Sequence, residues 1–289
     1  MWGQILVNGM IAGGKYAMLA LGFSLIFGVA RIMNLTHTAY YMLSAYLIWY
    51  FNQTLAMPLP ISYILSITMV VAIGMAVYKV MVAPVRERVT AVLIITLVLA
   101  MVFQEAVLII FGGHYRTLPK LVSGTTQFGG MTLTYQHLFT LGAVIFVLVA
   151  IWLLLFKSRL GIAIRAMAMD REVANLMGMP ESKIASITVA ISVGLSAIAG
   201  AVVAPLFILE PAMWMHPLVV VMAAVILGGL GSIKGSIIGA FILAFAEVGL
   251  VFLLPQLAFL RGAVSMAVML GVLMIRPEGL FGIFMEGER

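Results

Sequence analysis

Long apolar runs separated by short polar stretches dominate the chain. Runs can be marked at roughly 5–30, 38–57, 61–83, 90–112, 136–156, 184–209, 217–233, 236–254 and 259–275. About 20 consecutive apolar residues carry a helix across a bilayer, so most of these runs are long enough to span. They are continuous rather than alternating over ~10 residues, which excludes the strands of a membrane barrel. The run at 217–233 is short and ends in glycines, so it either spans or re-enters. The expected fold is an all-α polytopic membrane protein of eight or nine transmembrane helices, forming a single domain over residues 1–289.

Composition agrees with the pattern. Hydrophobic residues make up 64% of the 289 and charged residues 9%, against roughly 45–50% and about 25% in soluble domains. The absence of cysteine removes disulfides and thiolate metal sites. No metal or cofactor is expected. The net charge of +6 lies in short loops between apolar runs, which speaks for membrane topology rather than nucleic acid. The start MWGQILVNGM has no basic n-region and its apolar run is too long for a cleavable signal.

Loop charge sets an orientation. With an outside N-terminus and nine crossings, one face collects Arg31, Lys79, Arg86, Arg88, Lys157, Arg159, Arg165, Arg171, Lys183, Lys234, Arg276 and Arg289. The other collects Arg116, Lys120 and Arg261. The basic face is expected to be cytoplasmic, with the C-terminus on that side. The longest external loop is then 112–135. Thr125–Phe128 and Met131–Thr134 flank Gly129-Gly130 there, a turn dipeptide that suits a β-hairpin.

On the basic face, the loop 157–183 contains RAMAMDREVANLMGMPESK, residues 165–183. Asp170 is placed to cap a helix, and Glu172 suits the positive end of its dipole. Gly178 can take the left-handed position that ends it, with Pro180 beyond. Between them Val173, Leu176 and Met177 form one apolar stripe. So short a helix is unstable alone, so something must bury that stripe: the membrane surface, neighbouring spans or a groove on another protein.

Ionisable residues inside apolar runs cost at least ~2.5–3.5 kcal/mol at the bilayer centre on insertion scales. Lys15 and Glu247 both fall near mid-depth in their runs, and a Lys15–Glu247 pair is expected, either as a buried structural pair or as a polar path lining. His37 reads as a hydrogen-bonded residue at a helix start, near Asn34. Glu105 and Glu210 read as interfacial or structural rather than catalytic. GGLGSIKGS lacks the Gly-Lys-Ser/Thr order of a phosphate-binding loop. Gly231, Gly235 and Gly239 instead form overlapping G-x-x-x-G units that suit close helix packing. No catalytic constellation is present, so no enzyme activity is expected.

Three segments carry a resemblance: KYAMLALGFSLIFGVARIMNLTHTAYYMLSAYL (15–47), GIAIRAMAMDREVANLMGM (161–179) and VILGGLGSIKGSIIGAFILAFAE (225–247). Together they resemble the permeases of branched-chain amino-acid (LIV-type) ABC importers. Glu172 to Gly178 resembles the coupling loop E-A-A-x-x-x-G of such permeases, with Val173 replacing the middle alanine. The chain departs from the pattern at Thr38-Ala39, where a Gly-Glu pair is usual, at Lys234, and at Lys15, a place usually apolar.

The resemblance implies a permease subunit in a bacterial-type inner membrane. Its partners would be two ATP-binding-cassette ATPases, a second permease (a paralogue rather than a copy of itself) and an external substrate-binding protein. It makes Arg165, Asp170, Arg171, Glu172, Val173, Ala174, Leu176 and Gly178 the ATPase-coupling residues. Lys15, Asn34, His37 and Glu247 become the pathway or buried polar residues. The competing expectation is an ion-coupled secondary transporter or channel for a small polar solute such as urea or an amide.

Overall fold

The computed structural model describes residues 2–128 and 131–281. Its helices are α1 (Trp2–Ala30), α2 (His37–Trp49), α3 (Leu59–Val77), α4 (Val89–Phe111), α5 (Tyr135–Lys157), α6 (Arg159–Met169), α7 (Arg171–Leu176), α8 (Glu181–Val203), α9 (Met215–Gly228), α10 (Ile233–Leu253) and α11 (Arg261–Ile275). Seven helical segments among the described residues are long and apolar enough to cross a membrane, and α9 is a shorter apolar helix. The protein is an all-α polytopic membrane protein. Pi-helical turns extend α2 over Tyr50–Thr54 and α3 over Tyr78–Val82, features that the hydrophobic pattern does not reveal.

Burial separates central from peripheral helices. Residues 13–26 of α1 are all buried, and a helix that is apolar on every side belongs in the core of a bundle. Its small residues make that possible. A Cβ on Gly9 or Gly13 would strike the rings of Phe245 and Phe241 on α10. One on Gly22 would meet His37 of α2. Helix α8 is central too, and Gly200 there faces the Tyr41 carbonyl of α2 so closely that a Cβ would lie 2.2 Å from it. In contrast, α4 turns Ile94, Val98, Met101, Ile109 and Ile110 outward. Such faces in a membrane protein are covered by hydrocarbon.

Helix α9 runs alongside α10 in the opposite direction, because its start (His216) meets Glu247 and its end (Gly228) meets Gly235. At 1.5 Å per residue it is about 21 Å long, less than the ~30 Å hydrocarbon core. Its end is completed by backbone bonds from Leu280 to Leu227 O (2.8 Å) and from Phe281 to Gly228 O (3.1 Å). Gly235 and Gly239 of α10 pack on the α9 backbone, where a Cβ would lie 2.0 Å from Gly228 O and 2.4 Å from Ala224 O respectively. Gly231 departs from the expected packing role. It has open space around it and a φ of +83°, so it shapes the turn, and Gly228 takes its place in the contact.

The external loop carries β1 (Thr125–Phe128) and β2 (Met131–Thr134), an antiparallel pair with Thr125 opposite Thr134. The turn Gly129-Gly130 lies outside the described residues, as does Arg289. The loop is fastened from both sides. Gln136 of α5 accepts from the Leu121 and Val122 amides through Oε1 (2.9 and 3.3 Å). Arg116 and Leu209 exchange two backbone bonds of 3.1 and 2.8 Å, tying this loop to the α8–α9 connection.

Candidate functional site

Two places gather the polar groups that the apolar pattern isolates: a cavity inside the bundle and a short helix on the basic face. The cavity, about 670 Å³, opens among α1, the start of α5, the connection from 206 to 213, the start of α9, the later part of α10 and Arg261. It falls within the roughly 300–1,000 Å³ range of small-molecule sites. Lys15, Tyr16, His216 and Glu247 line it together with apolar side chains.

Lys15 and Glu247 do not form the expected pair. The Lys15 ammonium instead lies over the rings of Tyr16 (4.3 Å) and Phe207 (5.0 Å). Glu247 is held by other groups. Tyr16 Oη donates to Oε2 at 2.9 Å, Ser265 Oγ of α11 donates to Oε1 at 2.6 Å, and His216 Nε2 stands 3.4 Å from Oε1. Depth in the membrane matches Lys15 to Glu247, but successive residues on a helix point about 100° apart. It is Tyr16, one position on, that faces the carboxylate.

Asn34 and His37 lie elsewhere. Asn34 folds the α1–α2 connection by accepting from the Thr36 amide at 3.1 Å, and Thr36 Oγ1 donates to Thr96 O of α4 at 2.6 Å. His37 is fully buried. Its Nε2 contacts the Leu19 carbonyl at 3.0 Å, and its own carbonyl accepts from Ser196 of α8 at 2.6 Å. These bonds knit α1, α2, α4 and α8 together, and neither residue lines the cavity.

Helix α7 on the basic face is built as a capped fragment. Asp170 accepts from the Val173 amide at 3.0 Å. At the other end Gly178, at φ +79°, donates to Asn175 O at 2.9 Å, and Met179 donates to Ala174 O at 3.1 Å. That pair of bonds is the Schellman closure of a helix. Ala174 is the inward anchor, packed in the cluster of Leu155, Ile164 and Ile184. Val173, Leu176 and Met177 are exposed at 54%, 85% and 77%, and Met169 at 84%.

The charged residues of this loop divide by task. Glu181, at the start of α8, bonds Arg171 and accepts from Asn175 (3.1 Å) and pairs with Arg86 of the α3–α4 connection (2.8 Å). Arg165 is turned inward. Its Nε donates to Leu155 O at 3.1 Å and its guanidinium lies over Phe156 at 4.8 Å. Arg165, Asp170, Arg171, Ala174 and Gly178 therefore shape and anchor the loop, while Glu172, Val173 and Leu176 face outward. Sequence reasoning missed α6, an amphipathic helix whose start is capped by Ser158 accepting from Gly161 N (2.9 Å). It also missed Tyr16 and His216, whose only signal was a polar residue beside Lys15 and a histidine heading a short apolar run.

A helical membrane bundle with an open cavity lined by polar and apolar side chains has the build of a solute permease. The family model described as "Branched-chain amino acid transport system / permease component" matches residues 5–275, and the chain belongs to that family. It is a transport permease and not an enzyme. Its similarity to curated proteins spans nearly their whole length. The high-affinity branched-chain amino acid transport system permease protein BraD of Pseudomonas aeruginosa is 28% identical, over 96% of this chain and 95% of that one. LivH of Escherichia coli K12, named in the same words, is 26% identical over the same shares. The probable LivH permease of Methanocaldococcus jannaschii is 26% identical, over 97% and 92%. Among solved structures, a chain of "PsaBC from Streptococcus pneumoniae in complex with Fab" shares the fold at 14% identity and a TM-score of 0.51, covering 95% of this chain and 92% of that one.

Proposed function

We propose that this chain is one of two permease subunits in an ATP-driven importer of branched-chain or related amino acids. Two ATP-binding-cassette subunits would sit against its basic face, and a binding protein would deliver solute to the cavity side. The reading places the chain in a bacterial-type inner membrane, with the basic face and C-terminus in the cytoplasm. The second permease would be a paralogue, and residues 157–183 would be the coupling loop.

One observation carries the reading. Helix α7 is closed by a cap at each end and anchored by Ala174 and Glu181, yet it leaves Val173, Leu176 and Met177 uncovered. A six-residue helix cannot hold itself together in water, and the chain spends two caps and an ion-pair cluster on presenting an apolar face. That is the geometry of an element seated in a partner's groove. ATP would act by binding one conformation of the assembly better than the other and shifting the population between them.

The test is photo-cross-linking from position 176 in native membranes, together with uptake in vesicles. Recovery of a nucleotide hydrolase, with uptake that needs ATP, supports the importer. Cross-links to lipid or this chain alone, with uptake driven by an ion gradient, would replace it with the secondary-transporter reading.

A further inference from the structure

We infer that Lys15 is the seat for a carboxylate on the solute that passes through the cavity. The inference rests on the permease reading and adds the residue that would recognise the cargo's carboxylate, which distinguishes it from a neutral amide.

Lys15 is 7% exposed. Among the described residues its ammonium makes no ion pair and no hydrogen bond, and it lies against the faces of Tyr16 and Phe207. The nearby carboxylate of Glu247 is engaged by Tyr16, Ser265 and His216. An ammonium has three donors, and a buried charge without partners is strongly unfavourable. Lys15 is tolerable at this depth because it lines the cavity, where water can reach it. A carboxylate entering that space replaces weakly held water with a charge-assisted bond in surroundings of low dielectric. The walls beside it, Ile11, Phe207, Val248, Val251 and Phe252, suit an aliphatic tail. Arg261, Glu210 and Glu247 line the same cavity, so its charges balance and the seat rests on Lys15 itself, whose ammonium has no counter-ion among the described residues. A neutral solute such as urea could accept a hydrogen bond from Lys15 but would bring no opposing charge, so it would gain less there than a carboxylate.

The test uses the purified full-length chain in lipid nanodiscs. Its thermal unfolding is followed with leucine, isovalerate, isoamyl alcohol, isoamylamine or urea at millimolar concentration. Leucine and isovalerate should raise the midpoint saturably, and the alcohol, the amine and urea should not. Lys15→Met should weaken apparent isovalerate affinity by at least about tenfold, the range expected for a lost charged hydrogen bond, and Lys15→Arg should retain most of it. An equal shift with the alcohol, no shift with any carboxylate, or unchanged affinity in Lys15→Met overturns the proposal. Should Lys15→Met not fold, the wild-type ligand series decides alone. Failure of ATP-dependent uptake beside Lys15-dependent isovalerate binding would reject the importer reading and leave the seat standing.

Discussion

Tyr16 donates its hydroxyl proton to Glu247 Oε2 across 2.9 Å, joining α1 to α10 over 231 residues of sequence. Ser265 satisfies the other oxygen from α11 at 2.6 Å, with His216 of α9 at 3.4 Å, so four helices meet at one buried carboxylate. A hydrogen bond to a charged group is worth about 1.5–3 kcal/mol. Tyr16→Phe, which removes only the donor, should lower stability by about that amount. The measurement is the unfolding midpoint of the chain in detergent, and an unchanged midpoint would show that water replaces the hydroxyl.

The glycine contacts between α9 and α10 make a paired prediction. Gly235→Ala would put a methyl 2.0 Å from the Gly228 carbonyl, and neither backbone can yield without parting the helices. Gly231→Ala meets no atom and carries only the strain of its positive φ, about 1–2 kcal/mol. Monodisperse protein on size-exclusion chromatography should be lost in the first variant and kept in the second. Equal behaviour of the two would remove Gly235 from the contact.

For α7, stability and coupling should come apart. Leu176 is 85% exposed, so Leu176→Asp should leave the unfolding midpoint within about 0.5 kcal/mol of wild type, as surface changes usually do. It should nevertheless abolish ATP-dependent uptake by the assembled transporter. Gly178→Pro should also abolish uptake, here by undoing the end of α7, since proline can neither adopt φ +79° nor donate to Asn175 O. Normal uptake in both variants rejects the docking role.

Glu181 holds Arg171, Arg86 and Asn175 at once. Partly exposed ion pairs contribute little to global stability, typically below about 1 kcal/mol each. Glu181→Gln should therefore barely move the unfolding midpoint. Amide hydrogen exchange over residues 171–178 should accelerate severalfold, because the helix loses its tether to α8 and to the α3–α4 connection. Unchanged exchange there would assign the anchoring to Ala174 alone.

Much of this architecture is legible in the order of residues, because apolar length and capping chemistry are local. The runs at 90–112 and 136–156 become α4 (Val89–Phe111) and α5 (Tyr135–Lys157) within a residue. Asp170 and Gly178 mark both ends of α7 for the same reason. Facing is not local. Depth along two spans suggests that Lys15 meets Glu247, but the direction of each side chain depends on helix rotation, which only packing fixes. The glycine spacing likewise announces a close helix contact without saying that Gly228 is a member and Gly231 is not. Helix α6 escaped notice because Arg159 and Arg165 interrupt its apolar positions, and Arg165 spends its charge on the Leu155 carbonyl.

The two backbone bonds between Arg116 and Leu209 bear on how the entrance could change size. Tyr115 and Ile208, their chain neighbours, both border the cavity, so this stretch of the rim is riveted and its two segments must travel as one lip. Widening the doorway then falls to the other borders, where Val251 and Phe252 at the end of α10 and Arg261 at the start of α11 also line the cavity.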